Sequence, residues 1–166
     1  MVTERAADAA PGRASVLDHI DTQLLRLLQA DGRISNVRLS QEVGLSQAQV
    51  HERVRRLVRD GYILRYEAVL NPTKLGTGML VFAEVRLEDP GPTVADAFKA
   101  AVQVRPEILE CHEVAGSFDY LLKTRVPDMR AYRDLIASVV WSLPGVRDVR
   151  TYPVMEELKN TARLPV

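Results

Sequence analysis

The spacing of the apolar residues changes once along the chain, near Gly61. Before this point, apolar side chains recur at helical spacing in three stretches, which begin near Leu17, Ser35 and Ser46. After it, runs rich in β-forming residues alternate with two further helical stretches. The 166 residues therefore predict an α+β protein with a helical first part and a mixed second part.

The first part predicts three helices with recognisable start and stop signals. Asp18 can cap the first helix, the second lies between Ser35 and Gly44, and the third lies between Ser46 and Gly61. A glycine in the turn between the second and third helices can take the positive φ that a tight turn requires. The residues expected to face inward on these two helices are Val37, Leu39, Val43, Val50, Val54, Leu57 and Val58.

The second part predicts a strand, helix, strand, strand, helix, strand order. This βαββαβ order is typical of a ferredoxin-like sandwich, in which two helices cover one face of an antiparallel sheet. Since an uncovered apolar sheet face is unstable in water, we expect subunits to dimerise through this part. A further strand, Tyr62–Leu70, is predicted before it. The six elements are expected at Gly78–Leu87, Thr93–Val104, Ile108–Val114, Tyr120–Val126, Met129–Leu143 and Val146–Met155.

Composition excludes several classes of protein. A single cysteine, Cys111, cannot form an internal disulfide, and no Cys/His cluster has zinc-ligand spacing. No apolar run approaches the roughly 20 residues that cross a bilayer, so we expect a cytoplasmic protein without metal or membrane part. On a strand, Cys111 and His112 would point to opposite faces, so they cannot form a nucleophile and base pair. The sequence therefore predicts no catalytic residues.

Charge is concentrated at one place on a chain that is neutral overall. The sequence has 22 basic and 22 acidic residues, yet five arginines stand against Glu52 and Asp60 between Ser46 and Tyr66. Such a local basic element suits phosphate contact at one place. A solvated helix face explains the same arginines about equally well when they are taken alone.

Two helices joined by a glycine turn, the second with a basic outer face, are typical of a helix-turn-helix that places its second helix in the DNA major groove. Glutamine can pair with adenine and arginine with guanine, while arginines farther along would meet phosphates. Glu52 is expected to orient Arg55 or Arg56 and is left out of the interface. The candidate DNA-binding residues are Ser35, Asn36, Ser46, Gln47, Ala48, Gln49, Arg53, Arg55, Arg56 and Arg59.

A second candidate site lies in the connection from Gly116 to Tyr120. It combines a permissive glycine, backbone N–H groups, the Ser117 hydroxyl and the Asp119 carboxylate. These groups can hold the ammonium and carboxylate of a zwitterion. Ordinary turn chemistry accounts for the same residues as well.

An ordered set of motifs resembles one known family over nearly the whole chain after residue 16. The motifs resemble the Lrp/AsnC family, the leucine-responsive or feast/famine transcription regulators. Each motif alone is weak, whereas the ordered set is specific. The motifs include Leu17-Asp18-His19-Ile20-Asp21, Asp31-Gly32-Arg33-Ile34-Ser35-Asn36, Glu52-Arg53-Val54-Arg55-Arg56-Leu57, Leu70-Asn71-Pro72, Glu110-Cys111-His112, Gly116-Ser117-Phe118-Asp119-Tyr120 and Val126-Pro127-Asp128-Met129.

The resemblance implies a winged helix-turn-helix followed by a ferredoxin-like domain that dimerises and senses amino acids. Family members assemble dimers into octamers or similar discs that wrap double-stranded DNA, which implies a nucleoid-associated homo-oligomer with no cofactor besides a free amino acid as effector. A DNA-organising protein without effector control is the alternative. The expected boundaries are a flexible arm at 1–15, the helix-turn-helix at 16–62, a hinge strand and linker at 63–77, and the effector-binding and oligomerisation domain at 78–166.

In that family the effector binds in clefts between subunits of neighbouring dimers, near the Gly-Ser-Phe-Asp-Tyr connection. Glu113 and Pro153 depart from the leucine-type pattern, which has an apolar and a β-branched residue at these positions. The recognition helix departs as well, because Ser46-Gln47-Ala48-Gln49 replaces the usual Ser-Pro-Thr-Pro. The effector-binding candidates carried over by motif are Glu113, Gly116, Ser117, Asp119, Met129, Tyr152, Pro153 and Val154.

Overall fold

A computed structural model of the protein describes residues 16–89 and 91–166, and the predicted arm at 1–15 lies outside them. The chain divides into two compact units. The first contains residues 16–68 together with residues 161–166, and the second contains residues 69–160.

The first unit contains the three predicted helices. Asp18, Ser35 and Ser46 each occupy the cap position, and each side chain accepts a hydrogen bond from a backbone N–H in the first turn. Such caps satisfy donors that a helix start leaves unpaired, which explains why the helices begin where the sequence predicts. The helices are α1 (His19–Ala30), α2 (Asn36–Val43) and α3 (Gln47–Arg59).

The core of the first unit follows the helical spacing, with two exceptions. Leu24, Val50 and Leu57 are almost completely buried. The expectation that Val37 and Val58 face inward is wrong, because they are 48% and 45% exposed. Val37 lies two residues, or about 200° around the helix, from buried Leu39, and Val58 lies at the edge of the apolar stripe on α3.

The turn between α2 and α3 depends on Gly44. Its φ of 69° lies in the left-handed region that favours glycine, and its N–H donates to the carbonyl of Ser40. The predicted glycine turn is confirmed.

The strand predicted over Tyr62–Leu70 is not formed within the described part of the chain. Residues 63–71 have neither helical nor strand structure. A strand requires a neighbour for its hydrogen bonds, and periodicity alone does not supply one. Tyr66 instead lies against Gly32, where an added Cβ would come 3.2 Å from the tyrosine ring. Leu64 and Val69 are 86% and 96% exposed.

The segment 161–166 packs on α1. Gln29 Oε1 accepts a hydrogen bond from the Leu164 N–H at 2.7 Å, and Gln29 Nε2 donates to the Leu164 carbonyl at 3.1 Å. Arg26 donates to the Val166 carbonyl from the same helix. By packing, these six residues belong to the first unit, whereas the sequence interpretation placed all of 78–166 in the second.

The second unit has the predicted βαββαβ order. Its sheet is antiparallel throughout, and its strands lie side by side in the order β2 (Glu110–Glu113), β3 (Tyr120–Val126), β1 (Met79–Leu87) and β4 (Val146–Pro153). The last helix is shorter than expected and passes into a 3₁₀ turn, Val140–Ser142, since the β-branched Val139 and Val140 are poor helix formers. The helices of this unit are α4 (Pro92–Gln103) and α5 (Met129–Ser138).

The two faces of this sheet differ. On the helix side, Val85 of β1 packs with Phe98 of α4, whose ring stacks on Tyr120 at a centroid distance of 4.4 Å. On the other face, Phe82, which pairs with Tyr152 across the sheet, is only partly buried. The second unit is therefore a ferredoxin-like sandwich with helices over one face of its sheet, as predicted.

Candidate DNA-binding surface and effector cavity

Gln49, one of the predicted base-reading residues, takes part in the cap at the start of α3. Gln49 Oε1 accepts hydrogen bonds from the Ser46 N–H at 3.0 Å and the Ser46 hydroxyl at 2.8 Å. Together with the Ser46 side chain this is a capping box, which fixes the entry of the chain into the helix. Its amide oxygen is thus engaged, so a bidentate pair of Gln49 with adenine would require the cap to open. Gln47 and Ala48 are exposed.

Two of the predicted DNA-binding arginines bind carboxylates of the first helix. Asp21 is 1% exposed and accepts from Arg53 at 2.8 Å and from Arg56. Arg53 also donates to Asp18 at 2.7 Å. A buried carboxylate needs such partners, because an unpaired charge in the interior is very costly. The expectation that Arg56 faces outward is therefore corrected: Arg53 and Arg56 lie on the α1 side of α3 and fix its orientation.

The same network lowers the pKa of Asp18 from 3.8 to about 2. The larger cause is the hydrogen bond from the Asp21 backbone N–H, and the second is the hydrogen bond from Arg53. Both favour the charged carboxylate.

Asp18→Asn should reduce the stability of the first unit at neutral pH and have little effect near pH 2. Because the folded-state pKa is depressed, the carboxylate stabilises the fold above about pH 4, and this contribution is lost as the pH falls from 3.8 towards 2. Asparagine keeps the capping function. Thermal unfolding followed by circular dichroism across this range tests the prediction. A wild-type advantage that stays the same down to pH 2 would contradict it.

The other predicted DNA-binding residues lie at the surface of the first unit. Arg55 is exposed, and Arg59, also exposed, forms an ion pair with Asp60 at 3.0 Å. Asn36, at the start of α2, lies 3.5 Å from a ring nitrogen of His51 on α3. His51 is exposed and was not among the sequence candidates, although it lies one helical turn after Gln47 and one before Arg55.

A small cavity in the second unit lies beside the predicted effector connection. Its volume is about 70 Å³, and Glu113 and Asp119 line it together with Tyr120 and Leu87. Asp119 Oδ2 accepts from the Leu87 N–H at 2.7 Å, next to the point where the pairing of β1 with β4 shifts register. Asp119 therefore has a structural hydrogen bond as well as a place in the cavity wall.

Glu113 gives the cavity a second negative group. Its carboxylate forms an ion pair with Lys99 of α4 at 2.8 Å, which raises the pKa of that lysine. Burial first, and then the charge of Glu113, raise the pKa of Tyr120. Lys99 was not predicted, because its distance along the sequence from Glu113 gives no local signal.

The structure brings two of the eight effector candidates into the wall of this cavity. The exposed Gly116 and Ser117 lie in the connection itself, and Met129 begins α5. Tyr152 and Pro153 end β4, opposite Phe82 and Val81 of β1, and the Val154 N–H donates to Leu80. None of these six lines the cavity.

Within residues 16–89 and 91–166, no group of three or more His, Cys, Asp or Glu side chains has the geometry to hold a metal ion. The same ranges contain no helix that is both long and apolar enough to span a bilayer.

Comparison with known protein families accounts for both units. Residues 17–63 match a winged helix-turn-helix DNA-binding family, and residues 80–164 match the Lrp/AsnC ligand binding domain. The chain belongs to the Lrp/AsnC family. The resemblance that the sequence motifs indicated is thus confirmed, and the chain is a DNA-binding transcriptional regulator of this family and not an enzyme.

Relatives of this Lrp/AsnC regulator share most of its length. The leucine-responsive regulatory protein of Salmonella typhimurium is 57% identical over 90% of this chain and 92% of its own length. That of Escherichia coli K12 is 56% identical over the same shares. A Neisseria meningitidis transcriptional regulator, solved as a complex with L-Met, is similar with a TM-score of 0.85, 33% identity, and coverage of 90% of this chain and 97% of its own.

Proposed function

We propose that this regulator binds a free amino acid at the cavity beside Asp119, and that binding changes its assembly on double-stranded DNA. The observation that carries the proposal is that the carboxylates of Asp119 and Glu113 line the same cavity. This cavity lies inside the segment that matches a ligand-binding domain. Carboxylates at this place are suitable partners for the ammonium group of an amino acid.

The size of the cavity supports a site completed by a second subunit. Its volume of about 70 Å³ is far below the roughly 300–1,000 Å³ of pockets that enclose small ligands. A neighbouring subunit would supply the missing wall, and it would bring Gly116, Ser117, Met129, Tyr152, Pro153 or Val154 to the ligand from a second copy of the chain. Effector binding would then be coupled directly to assembly.

Homodimers that assemble further, to octamers or similar discs, provide such neighbours. Among the described residues of the second unit, no helix covers the sheet face that carries Phe82 and Tyr152, and an uncovered face of this kind favours association. A two-fold dimer would present two α3 helices to half-sites about one helical turn apart. The surface residues Ser35, Asn36, Ser46, Gln47, Ala48, Arg55 and Arg59 are proposed to contact DNA.

The relatives favour an amino acid as the effector. Two of them are named leucine-responsive, and the Neisseria regulator was solved with L-Met. Genes of amino-acid metabolism are the corresponding targets, and the cytoplasmic nucleoid is the corresponding location. Relative to the leucine-type pattern, Glu113 makes the wall of this cavity more polar, and Pro153, which a second subunit would bring to the ligand, lacks a backbone donor. Both differences favour an effector other than leucine.

Thermal unfolding of the assembled protein against each proteinogenic amino acid tests the proposal. A ligand that binds the native state alone stabilises it by about 2.7 kcal/mol at 100 times its Kd. We expect a rise in Tm confined to one amino acid or a few related ones, and a smaller rise in Asp119→Asn. No rise with any amino acid would overturn the proposal and favour the alternative, an effector-independent DNA-organising protein.

A further inference from the structure

The two flanks of α3 are occupied differently. On one flank, Gln49, Arg53 and Arg56 follow one another at i, i+4 and i+7. Gln49 closes the capping box, and the two arginines bind the carboxylates of α1. The side chains of this flank are therefore engaged in contacts within the first unit.

The other flank is open. Gln47, His51 and Arg55 follow one another at i, i+4 and i+8, and all three are exposed. Val58 continues the same side of the helix and is 45% exposed. In a recognition helix the residues of the N-terminal half contact base edges, and His51 is in this half.

From this arrangement we propose that His51 reads a base in the major groove, at one position of each half-site. The inference rests on the proposed docking of α3 in that groove and adds a specificity-determining residue to it. The His51 side chain is a planar ring on the exposed flank of α3. Its Nδ1 lies near Asn36, and its Nε2 can hydrogen-bond to a base.

The contact with Asn36 favours one hydrogen-bonding role for His51. Asn36 Nδ2 lies 3.5 Å from His51 Nδ1, and an amide nitrogen can only donate. Nδ1 then accepts, so in the neutral ring the proton is on Nε2, which becomes a donor. Guanine presents two acceptors in the major groove, N7 and O6, whereas adenine and thymine each present one acceptor and cytosine presents a donor. His51 is therefore expected to favour guanine and to disfavour cytosine.

The test is selection of bound duplexes from a library with randomised half-sites at pH 8, followed by affinity measurements on the selected sequences. We expect a preference for guanine at one position of each half-site, and a loss of about five-fold in that preference in His51→Ala. His51→Gln should shift the preference at this position from guanine towards adenine, with which a glutamine amide forms a bidentate pair. Preferences at the other positions and the salt dependence of binding should be unchanged, because a neutral ring releases no counterions.

His19→Ala is the matched control, since it removes an exposed histidine from α1 of the same unit. If His51→Ala keeps every base preference of the wild type, the inference about His51 is wrong while the docking of α3 stands. If the wild-type protein shows no base preference at any position, the proposed docking and the inference both fail.

Discussion

Replacing Asp21 by alanine should destabilise the first unit by about 3 kcal/mol. This value is the lower end of the range for breaking a buried ion pair, because both arginine partners of Asp21 are partly exposed. The substitution leaves the half-buried Arg56 without its carboxylate partner, and Arg53 keeps only its contact with Asp18. Because Arg53 and Arg56 belong to α3, the recognition helix should lose its fixed orientation and specific DNA binding should fall with it. Hydrogen exchange of the α3 amides in the full chain measures the effect, with an expected acceleration of about a hundred-fold.

Glu42→Ala provides the control for this prediction. Glu42 lies 4.0 Å from Arg38 in an exposed i, i+4 pair, and such pairs contribute at most about 0.5 kcal/mol. Exchange in α3 should be nearly unchanged in this variant. If Asp21→Ala behaves like Glu42→Ala, the buried network does not hold the recognition helix.

Asp119→Asn should separate the ligand role of this residue from its structural role. Asparagine keeps an oxygen that can accept from the Leu87 N–H, which the carboxylate accepts at 2.7 Å, but it lacks the charge that would bind an ammonium group. We expect the fold and DNA binding without effector to be retained. The concentration of amino acid needed for a response should rise about 10- to 100-fold. This factor corresponds to the free energy that a hydrogen bond to a charged group contributes to binding.

Titration of DNA binding with the amino acid that raises the Tm of the wild-type protein measures this shift. Asp134→Asn removes an exposed carboxylate from α5 and should leave the titration unchanged. Asp119→Ala should lose the response and also destabilise the second unit, since it removes the acceptor for Leu87. A wild-type response in Asp119→Asn would exclude the carboxylate as an effector ligand.

Local signals predicted most of the fold. The caps at Asp18, Ser35 and Ser46, and the order of the strands and helices, depend on residues within one turn or one strand of each other. The position of Arg56 could not be predicted in this way. A helical wheel places a charged residue outside the apolar stripe, and only the burial of Asp21, 35 residues away, turns it towards α1.

The site was harder to predict than the fold for the same physical reason. The Gln49 amide is of a type that can read a base. Its position three residues after Ser46 also allows it to complete a capping box, and in the structure it does so. Glu113 and Lys99 meet only through the packing of α4 on the sheet. The predicted strand over Tyr62–Leu70 had the right composition but no partner in the described chain.

The packing of residues 161–166 on α1 has a consequence for synthesis of the chain. Domains commonly fold on the ribosome in the order in which they emerge, the N-terminal one first. Here α1, α2 and α3 emerge early, whereas Arg163 and Leu164, which bind the end of α1, are translated only after the whole second unit. The nascent DNA-binding unit therefore waits for these contacts for about 90 residues of translation, or roughly 5–20 s at the usual elongation rates.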